Sequence, residues 1–464
     1  MVVIGAGPAG EVLAGRLAEK GHRVAVVESE LVGGECSFYA CMPSKAMLRP
    51  ADALAEARRV PGTAEAVTGE IDVDAELARR DQIVHNMDDS GAVPWLEDRG
   101  VALIRGHARL EGERRVRVGE LLCEAREAVV IAVGSGAAMP AISGLAEAKP
   151  WTNREVTTAR RIPRSLVVLG GGAVGVEMAQ AYSALGSTVT LLEAAERLLT
   201  REEPFAGEQV HEALVERGVD VRVGVEARAV RRDGASVTVD LSDGERVEAT
   251  KSWWRLGVVP GPTIWASKPS ASSRESRLPS MTRCVCRGLP WLYAIGDVNE
   301  RWLLTHIAKH HAHVACEVID GGQARATRDG GGAPRVVFTD PQVAAVGLTL
   351  QAAKDQRLNA RAYDVPSSAT AGAGFYGRDT PGTSRLVVDE DRGVIVGATF
   401  TGTDVADWLH AATIALVGEI PVERLWEAVP AFPARSEIWL NLPEKRETEL
   451  AREHGGQTHG VAAG

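Results

Sequence analysis

The sequence predicts an α/β protein with two Rossmann-like modules, and three observations carry that expectation. The first is a short apolar strand ending in a glycine turn, Val2-Val3-Ile4-Gly5-Ala6-Gly7-Pro8-Ala9-Gly10. The second is the recurrence of the pattern as Leu166-Val167-Val168-Leu169 running into Gly170-Gly171-Gly172-Ala173-Val174-Gly175. The third is the acid that closes each unit, Glu28 after Arg23–Val27 and Glu193 after Thr188–Leu192, at matching offsets from Gly5 and Gly170. A strand, tight turn, helix and second strand ending on an acid form one half of a doubly wound sheet.

Each glycine has its own task. Gly5 and Gly170 permit the turn, Gly7 and Gly172 let backbone approach a pyrophosphate, and Gly10 and Gly175 let helix and sheet pack closely. The helix N-terminus then offers unpaired N–H groups and a partial positive charge to phosphates. Glu28 and Glu193 stand where a carboxylate accepts from a ribose hydroxyl. A lone glycine fingerprint is weak evidence, whereas the whole pattern at repeated offsets points to two dinucleotide sites.

Just beyond the first unit lies Gly33-Gly34-Glu35-Cys36-Ser37-Phe38-Tyr39-Ala40-Cys41-Met42-Pro43-Ser44-Lys45. Pro43 favours a helix start there, with the cysteines at or just before its first turns. In a regular helix, positions five apart point about 140° from one another. A bridge between Cys36 and Cys41 therefore requires a distorted backbone, because the Cβ atoms must approach to roughly 3.5–4.5 Å. The bland alternative is two unrelated buried cysteines. A dithiol beside two dinucleotide sites instead suggests electron transfer between two cofactors through a thiol couple.

At this point the chain resembles the flavin-dependent pyridine nucleotide-disulfide oxidoreductases, in the branch holding dihydrolipoamide dehydrogenase, glutathione reductase and mercuric reductase. The resemblance spans nearly the whole length. It includes Ile131-Ala132-Val133-Gly134-Ser135, Tyr293-Ala294-Ile295-Gly296-Asp297-Val298 and Val337-Phe338-Thr339-Asp340-Pro341-Gln342-Val343-Ala344-Ala345-Val346-Gly347. It implies two Rossmann-like dinucleotide-binding domains plus a C-terminal α+β dimerisation domain. The expected order is an FAD-binding domain over 1–150, an NAD(P)-binding domain over 151–286, the FAD-binding domain resumed over 287–330, a dimerisation domain over 331–445 and a disordered tail over 446–464.

The resemblance also implies roles. Cys41 is the cysteine against the flavin and Cys36 the one that faces substrate. Lys45 pairs with Glu177, and Gly34, Gly134, Gly296, Asp297 and Thr305 join the first glycine loop in holding FAD. Gly170, Gly172, Gly175 and Glu193 hold NADH, with NADPH less favoured because an acid at Glu193 repels a 2′-phosphate. The sharpest departure is Phe432-Pro433-Ala434-Arg435-Ser436-Glu437, where the family carries His-Pro-x-x-x-Glu. The glutamate that orients the histidine remains as Glu437 and the proton-transferring base is gone. The implied partner is a small-molecule or thiol/disulfide acceptor, in a homodimer.

Composition agrees. The chain has 464 residues, 45% hydrophobic, so it can build several cores. A formal net charge of −10 argues against nucleic acid or an anionic membrane as the main partner. No apolar run approaches the roughly 20 residues of a membrane span. Six cysteines in such a chain do not make a secreted disulfide framework, which favours a cytoplasmic setting. Met1 falls inside the first strand, so we expect the natural start a few residues upstream. His306, His310, His311 and His313 read as a solvated helix face rather than a metal cluster, because no nearby acid or thiol completes a ligand set.

Between about Thr250 and Cys286 the text has neither strand nor helix period. Back-translating Ser252–Ile264 into GC-rich codons and reading from the third base gives Leu-Val-Ala-Thr-Gly-Arg-Arg-Pro, similar to the family's text at this place. Glu275–Val285 behaves the same way. The expectation is that two compensating frameshifts, in the gene or its sequencing, bracket this stretch, with a divergent surface insertion as the alternative. Taken as written, the stretch loses the last strand of the second module, and Cys284 and Cys286 are poor candidates for any site.

Overall fold

The computed structural model describes residues 1–254, 258–260, 282–327, 332–377 and 382–458. β1 (Val2–Ile4) turns at the glycines into α1 (Pro8–Glu19), which returns to β2 (Ala25–Glu28). Then come α2 (Gly34–Phe38), α3 (Cys41–Arg59), α4 (Val73–Ile83), α5 (Val93–Glu97) and β3 (Ala102–Arg105). A small antiparallel sheet of β4 (Ala108–Gly112), β5 (Arg115–Val118) and β6 (Leu121–Glu124) precedes β7 (Val129–Ile131) and β8 (Ser135–Ala137).

The second module follows α6 (Asn153–Thr158) as β9 (Ser165–Leu169), α7 (Ala173–Ala184), β10 (Thr188–Glu193), α8 (Pro204–Glu216) and β11 (Asp220–Val223). An antiparallel sheet of β12 (Ala227–Asp233), β13 (Ser236–Leu241) and β14 (Arg246–Ala249) covers it. β15 (Lys251–Trp254) lies beside β9, and β16 (Val258–Pro260) pairs with β8. The chain then rejoins the first sheet through β17 (Val285–Cys286) and β18 (Leu289–Ala294), whose order is β17-β18-β7-β1-β2-β3. Val2, Val3 and Ile4 are buried, at 3%, 0% and 4% exposure, because β1 is covered on both faces, as the centre of a parallel sheet must be.

α9 (Thr305–Ile319) packs on α1 and leads to the C-terminal part. There β19 (Arg335–Val337), β20 (Gln342–Gly347), β21 (Ala360–Pro366), β22 (Thr383–Asp389) and β23 (Val394–Gly402) form one antiparallel sheet, with α10 (Leu350–Asp355), α11 (Leu409–Val417) and α12 (Ile438–Thr458). Phe400 anchors this core, with ring centroids 6.1 Å from Trp408 and 5.9 Å from Trp439 in edge-on contacts.

Two expectations are corrected here. The strand expected to be lost is present: β15 runs parallel to β9 from Lys251↔Leu166 to Trp254↔Leu169. Its register is pinned at the entrance, where Thr250 N–H donates to Ser165 Oγ at 2.9 Å and Thr250 Oγ1 donates to Ser165 O at 2.9 Å. A tertiary partner supplies what the missing alternation did not signal. Residues 255–257 and 261–281, which carry most of the suspected frameshifted text, lie outside the described residues.

The tail is also more ordered than its charge suggested. α12 continues to Thr458, beyond the expected end of order at 445. Its charged residues grip the sheet: Arg446 Nη2 donates to Glu390 Oε2 at 2.7 Å, and Arg361 pairs with Glu453 at 2.9 Å. Residues 459–464 lie outside the described set.

Candidate active site

The two glycine modules are near copies in space. Gly5 has φ +101° and Gly170 +111°, left-handed values that favour glycine. A Cβ on Gly10 would lie 1.9 Å from Gly5 O, and one on Gly175 1.8 Å from Gly170 O, so only glycine allows either helix to approach its strand. Glu28 accepts from Ala6 N–H at 2.7 Å and Glu30 N–H at 2.8 Å. Glu193 accepts from Gly171 N–H at 2.6 Å and Ala195 N–H at 2.8 Å. Each acid thus braces its own glycine loop, a task the sequence reading did not assign. Each oxygen retains a second lone pair for a ribose hydroxyl.

These loops fit a dinucleotide. α1 and α7 begin at Gly7 and Gly172 without side-chain caps. In contrast, α4, α6 and α10 are capped by Asp72, Thr152 and Thr349. Uncapped N–H groups beside glycine Cα atoms are the donor set that phosphates need. Gly34 (φ +58°) makes the close approach to the first loop possible, since a Cβ there would fall 2.9 Å from Gly7 Cα. Gly134 (φ +66°) has open space where a Cβ would be. Ser135 Oγ donates to Asp297 Oδ2 at 2.6 Å, tying two flavin-motif candidates together, with Gly296 (φ +73°) directly before the acid.

The dithiol lies where two helices break. Cys36 is inside α2 and Cys41 is the first residue of α3, whereas the sequence placed both at or just before one helix start. Between them Tyr39 has φ −130°, ψ −5° and Ala40 has φ −132°, ψ −92°, outside helical geometry. That break supplies the backbone distortion the spacing demanded. Both cysteines are free thiols, close enough that each perturbs the other's titration.

Cys41 is pulled down to about 6, first by the hydrogen bond with Cys36 and against burial, with Thr305 and the Lys45 charge also lowering it. Cys36 is pushed up by the same hydrogen bond, by burial and by the charge on Cys41. Thr305, the first residue of α9, brings its Oγ1 within 3.3 Å of Cys41 Sγ. These opposite directions make Cys41 the more acidic member of the pair.

Lys45 Nζ donates to Glu177 Oε2 at 2.7 Å, while Glu177 Oε1 accepts from Phe338 N–H at 2.9 Å. Glu177 is 1% exposed and Lys45 partly so, and the pair joins α3, α7 and the start of the C-terminal part. Phe338 was not foreseen; its backbone donor carries no sequence signature. Glu437 Oε2 accepts from Ala434 N–H at 3.2 Å and from Gly372 N–H at 3.3 Å, holding the Phe432–Glu437 loop rather than a side-chain base. Phe432 itself is 77% exposed.

The histidine reading needs one correction. His306, His310 and His313 are exposed, but His311 is fully buried, with its Nδ1 3.2 Å from Asn299 Nδ2. Among the described residues no group of His, Cys, Asp and Glu is arranged to hold a metal. Cys284 and Cys286 are both buried, in different apolar clusters, and burial pushes Cys286 up to about 12.

Comparison with known proteins settles the family. The sequence pattern described as pyridine nucleotide-disulphide oxidoreductase matches residues 1–312, and the dimerisation domain of the same family matches residues 333–443. The chain belongs to the pyridine nucleotide-disulphide oxidoreductases. This is an enzyme family acting with FAD and NAD(P)H.

Among its relatives, the oxidoreductase is 31% identical over 452 residues to a dihydrolipoyl dehydrogenase of Thermus scotoductus, with 96% of each chain covered. It is 28% identical to a mercuric reductase of Staphylococcus aureus, covering 94% of this chain and 80% of that one. In fold it matches the hypochlorous-acid-induced flavoprotein disulfide reductase RclA of Escherichia coli, in its Cu(II) complex, with TM-score 0.84 at 23% identity over 96% of this chain and 98% of that one. No helix among the described residues is long and apolar enough to cross a membrane.

Proposed function

We propose that this oxidoreductase passes electrons from NADH through FAD and a Cys36–Cys41 redox disulfide to an acceptor, with dihydrolipoyl dehydrogenase as the nearest activity. The observation that carries the reading is the helix break between Cys36 on α2 and Cys41 at the start of α3, with Thr305 Oγ1 3.3 Å from Cys41 Sγ. Bound FAD, held by the Gly5–Gly10 loop, Glu28, Asp297 and the start of α9, supplies the two-electron carrier between pyridine nucleotide and thiols. Gly170, Gly172, Gly175 and Glu193 form the matching NADH loop.

The chain's own residues divide the thiol chemistry. Reduction of the bridge takes two electrons and one proton and leaves Cys41 as thiolate, stabilised by the Cys36 S–H, Thr305 and Lys45. Cys36 then faces the acceptor as a thiol. To attack a disulfide it must lose its proton, and Phe432 offers no base. An acceptor that does not depend on that histidine, such as a metal ion, quinone or reactive sulfur species, is the second reading, favoured by that one substitution.

The exposed apolar Phe432 and Val429, each 77% exposed, support a homodimer in which this loop is covered by a second copy. The visible spectrum of purified protein before and after NADH tests the core of the proposal, and NADH oxidation with a panel of acceptors separates the two readings. A protein that binds flavin yet transfers electrons to none of them would be a scaffold or redox sensor.

A further inference from the structure

The break that carries the thiols is gripped from outside by one short helix. Pro43 has no N–H, so the Tyr39 carbonyl, four residues earlier, lacks the donor that a continuous helix would provide. Thr157 Oγ1 stands 3.0 Å from that oxygen and Asn153 Nδ2 3.5 Å, the Thr157 hydroxyl hydrogen being shared with Asn153 O at 2.8 Å. One turn earlier, Glu35 directly precedes Cys36. Arg154 Nε donates to its Oε1 at 2.6 Å and Asn153 Nδ2 to its Oε2 at 2.8 Å. Arg154 Nη1 reaches Glu30 Oε2 at 2.9 Å, and its guanidinium lies 4.4 Å from the Tyr39 ring centroid. Three residues of α6 therefore hold the side chain before Cys36 and both the ring and the carbonyl before Ala40.

α6 is itself fixed at both ends. Thr152 and Glu155 close a capping box at its start. Near its end Tyr182 Oη donates to Val156 O at 2.6 Å, and Arg80 donates to Thr157 O at 2.7 Å and Ala159 O at 3.0 Å. Arg80 and Tyr182 are buried, and Tyr182 stands on α7, which also supplies Glu177.

We propose that Asn153, Arg154 and Thr157 are positioning residues for the dithiol, a strap that holds Glu35 and Tyr39 so that the break between α2 and α3 presents Cys36 to Cys41. The inference rests on the reading of Cys36–Cys41 as a redox pair. In bridge formation the Cys41 thiolate and the Cys36 thiol together give up two electrons and one proton, and solvent supplies the second proton that the oxidant needs. An oxidant such as glutathione disulfide takes them and becomes two glutathione thiols. The strap favours that closure because Glu35 and Tyr39, on either side of Cys36, are held in place before it happens.

The test uses the full-length FAD-loaded protein, equilibrated in buffers of graded glutathione to glutathione disulfide ratio, quenched in acid and alkylated so that mass reports the bridge. Arg154→Ala and Thr157→Val should each lower the oxidation equilibrium constant by roughly 3–10-fold, the scale of one hydrogen bond. Thr157→Ser, which keeps the hydroxyl, should match wild type. In Arg154→Ala the pH midpoint for Cys41 alkylation should also rise, as the Cys36 S–H withdraws. Variants that keep FAD, wild-type equilibrium constants and wild-type midpoints would overturn the strap alone. If Arg154→Ala fails to fold, the near-isosteric Thr157→Val and Thr157→Ser pair decides. Wild type that forms no Cys36–Cys41 bridge at any ratio would overturn the redox reading, and the strap with it.

Discussion

Thr305 Oγ1 lies 3.3 Å from Cys41 Sγ, and both residues open their helices, so two helix N-termini converge on one sulfur. Aligned N–H dipoles favour negative charge at such a point. This convergence therefore favours the thiolate form of Cys41. Iodoacetamide labelling of reduced protein at Cys41 should titrate with a midpoint near the value of about 6 set mainly by Cys36. Limited NADH should produce a long-wavelength absorbance that Cys41→Ser abolishes while FAD stays bound. Ordinary flavin bleaching with no such band would sink the assignment.

Phe432 should make disulfide reduction slow at the step after flavin reduction. Phe432→His places an imidazole where Glu437 already fixes the loop, and should raise lipoamide turnover by about 10²-fold or less, the range of a positioned acid–base group. Quinone or metal-ion reduction should change little. Rapid lipoamide turnover by the unaltered protein would mean that another group supplies the proton.

NADH should be preferred over NADPH. The Glu193 carboxylate is held at the end of β10 by Gly171 and Ala195 N–H, so it cannot swing away from a 2′-phosphate without losing both bonds. The ratio of kcat/KM values for the two nucleotides measures this. Equal or better efficiency with NADPH would refute it.

Asp52 links pH to stability. It sits in a cleft with Arg49, Arg59, Asp340 and Asp404, and burial, with Asp340 beside it, pushes it from 3.8 up to about 7. A carboxyl that binds its proton more tightly when folded contributes stability below its unfolded pKa and loses it as pH rises through the folded one. Asp52→Asn should therefore gain Tm relative to wild type at about pH 8, with the gain shrinking towards about pH 4. Equal differences at both pH values would contradict the assignment.

The ion pair of Lys45 and Glu177 should matter through burial. Glu177→Ala leaves the Lys45 ammonium without its carboxylate and Phe338 N–H without its acceptor. Because Lys45 keeps access to water, a cost of about 1–3 kcal/mol is expected, chiefly for the unpaired Phe338 N–H, read by denaturant unfolding. A loss below about 1 kcal/mol would mean that water replaces the carboxylate.

The sequence by itself determined the two modules, because their glycines and closing acids answer to local rules of turn, helix start and strand. It also placed Cys36, Cys41 and Phe432 at the positions on which the proposed chemistry turns, which is a matter of residue type. Tertiary structure alone decided the rest. The spacing of Cys36 and Cys41 demanded a backbone break, but Tyr39 and Ala40 carry no local signal for it, since the strap on α6 is more than a hundred residues away. β15 has no alternating pattern and takes its register from Ser165, across the sheet. The charges of α12, which read as disorder in isolation, are ordered by Glu390 and Arg361. Local propensity is written in neighbouring residues; pairing between distant ones becomes visible only when the chain has brought them together.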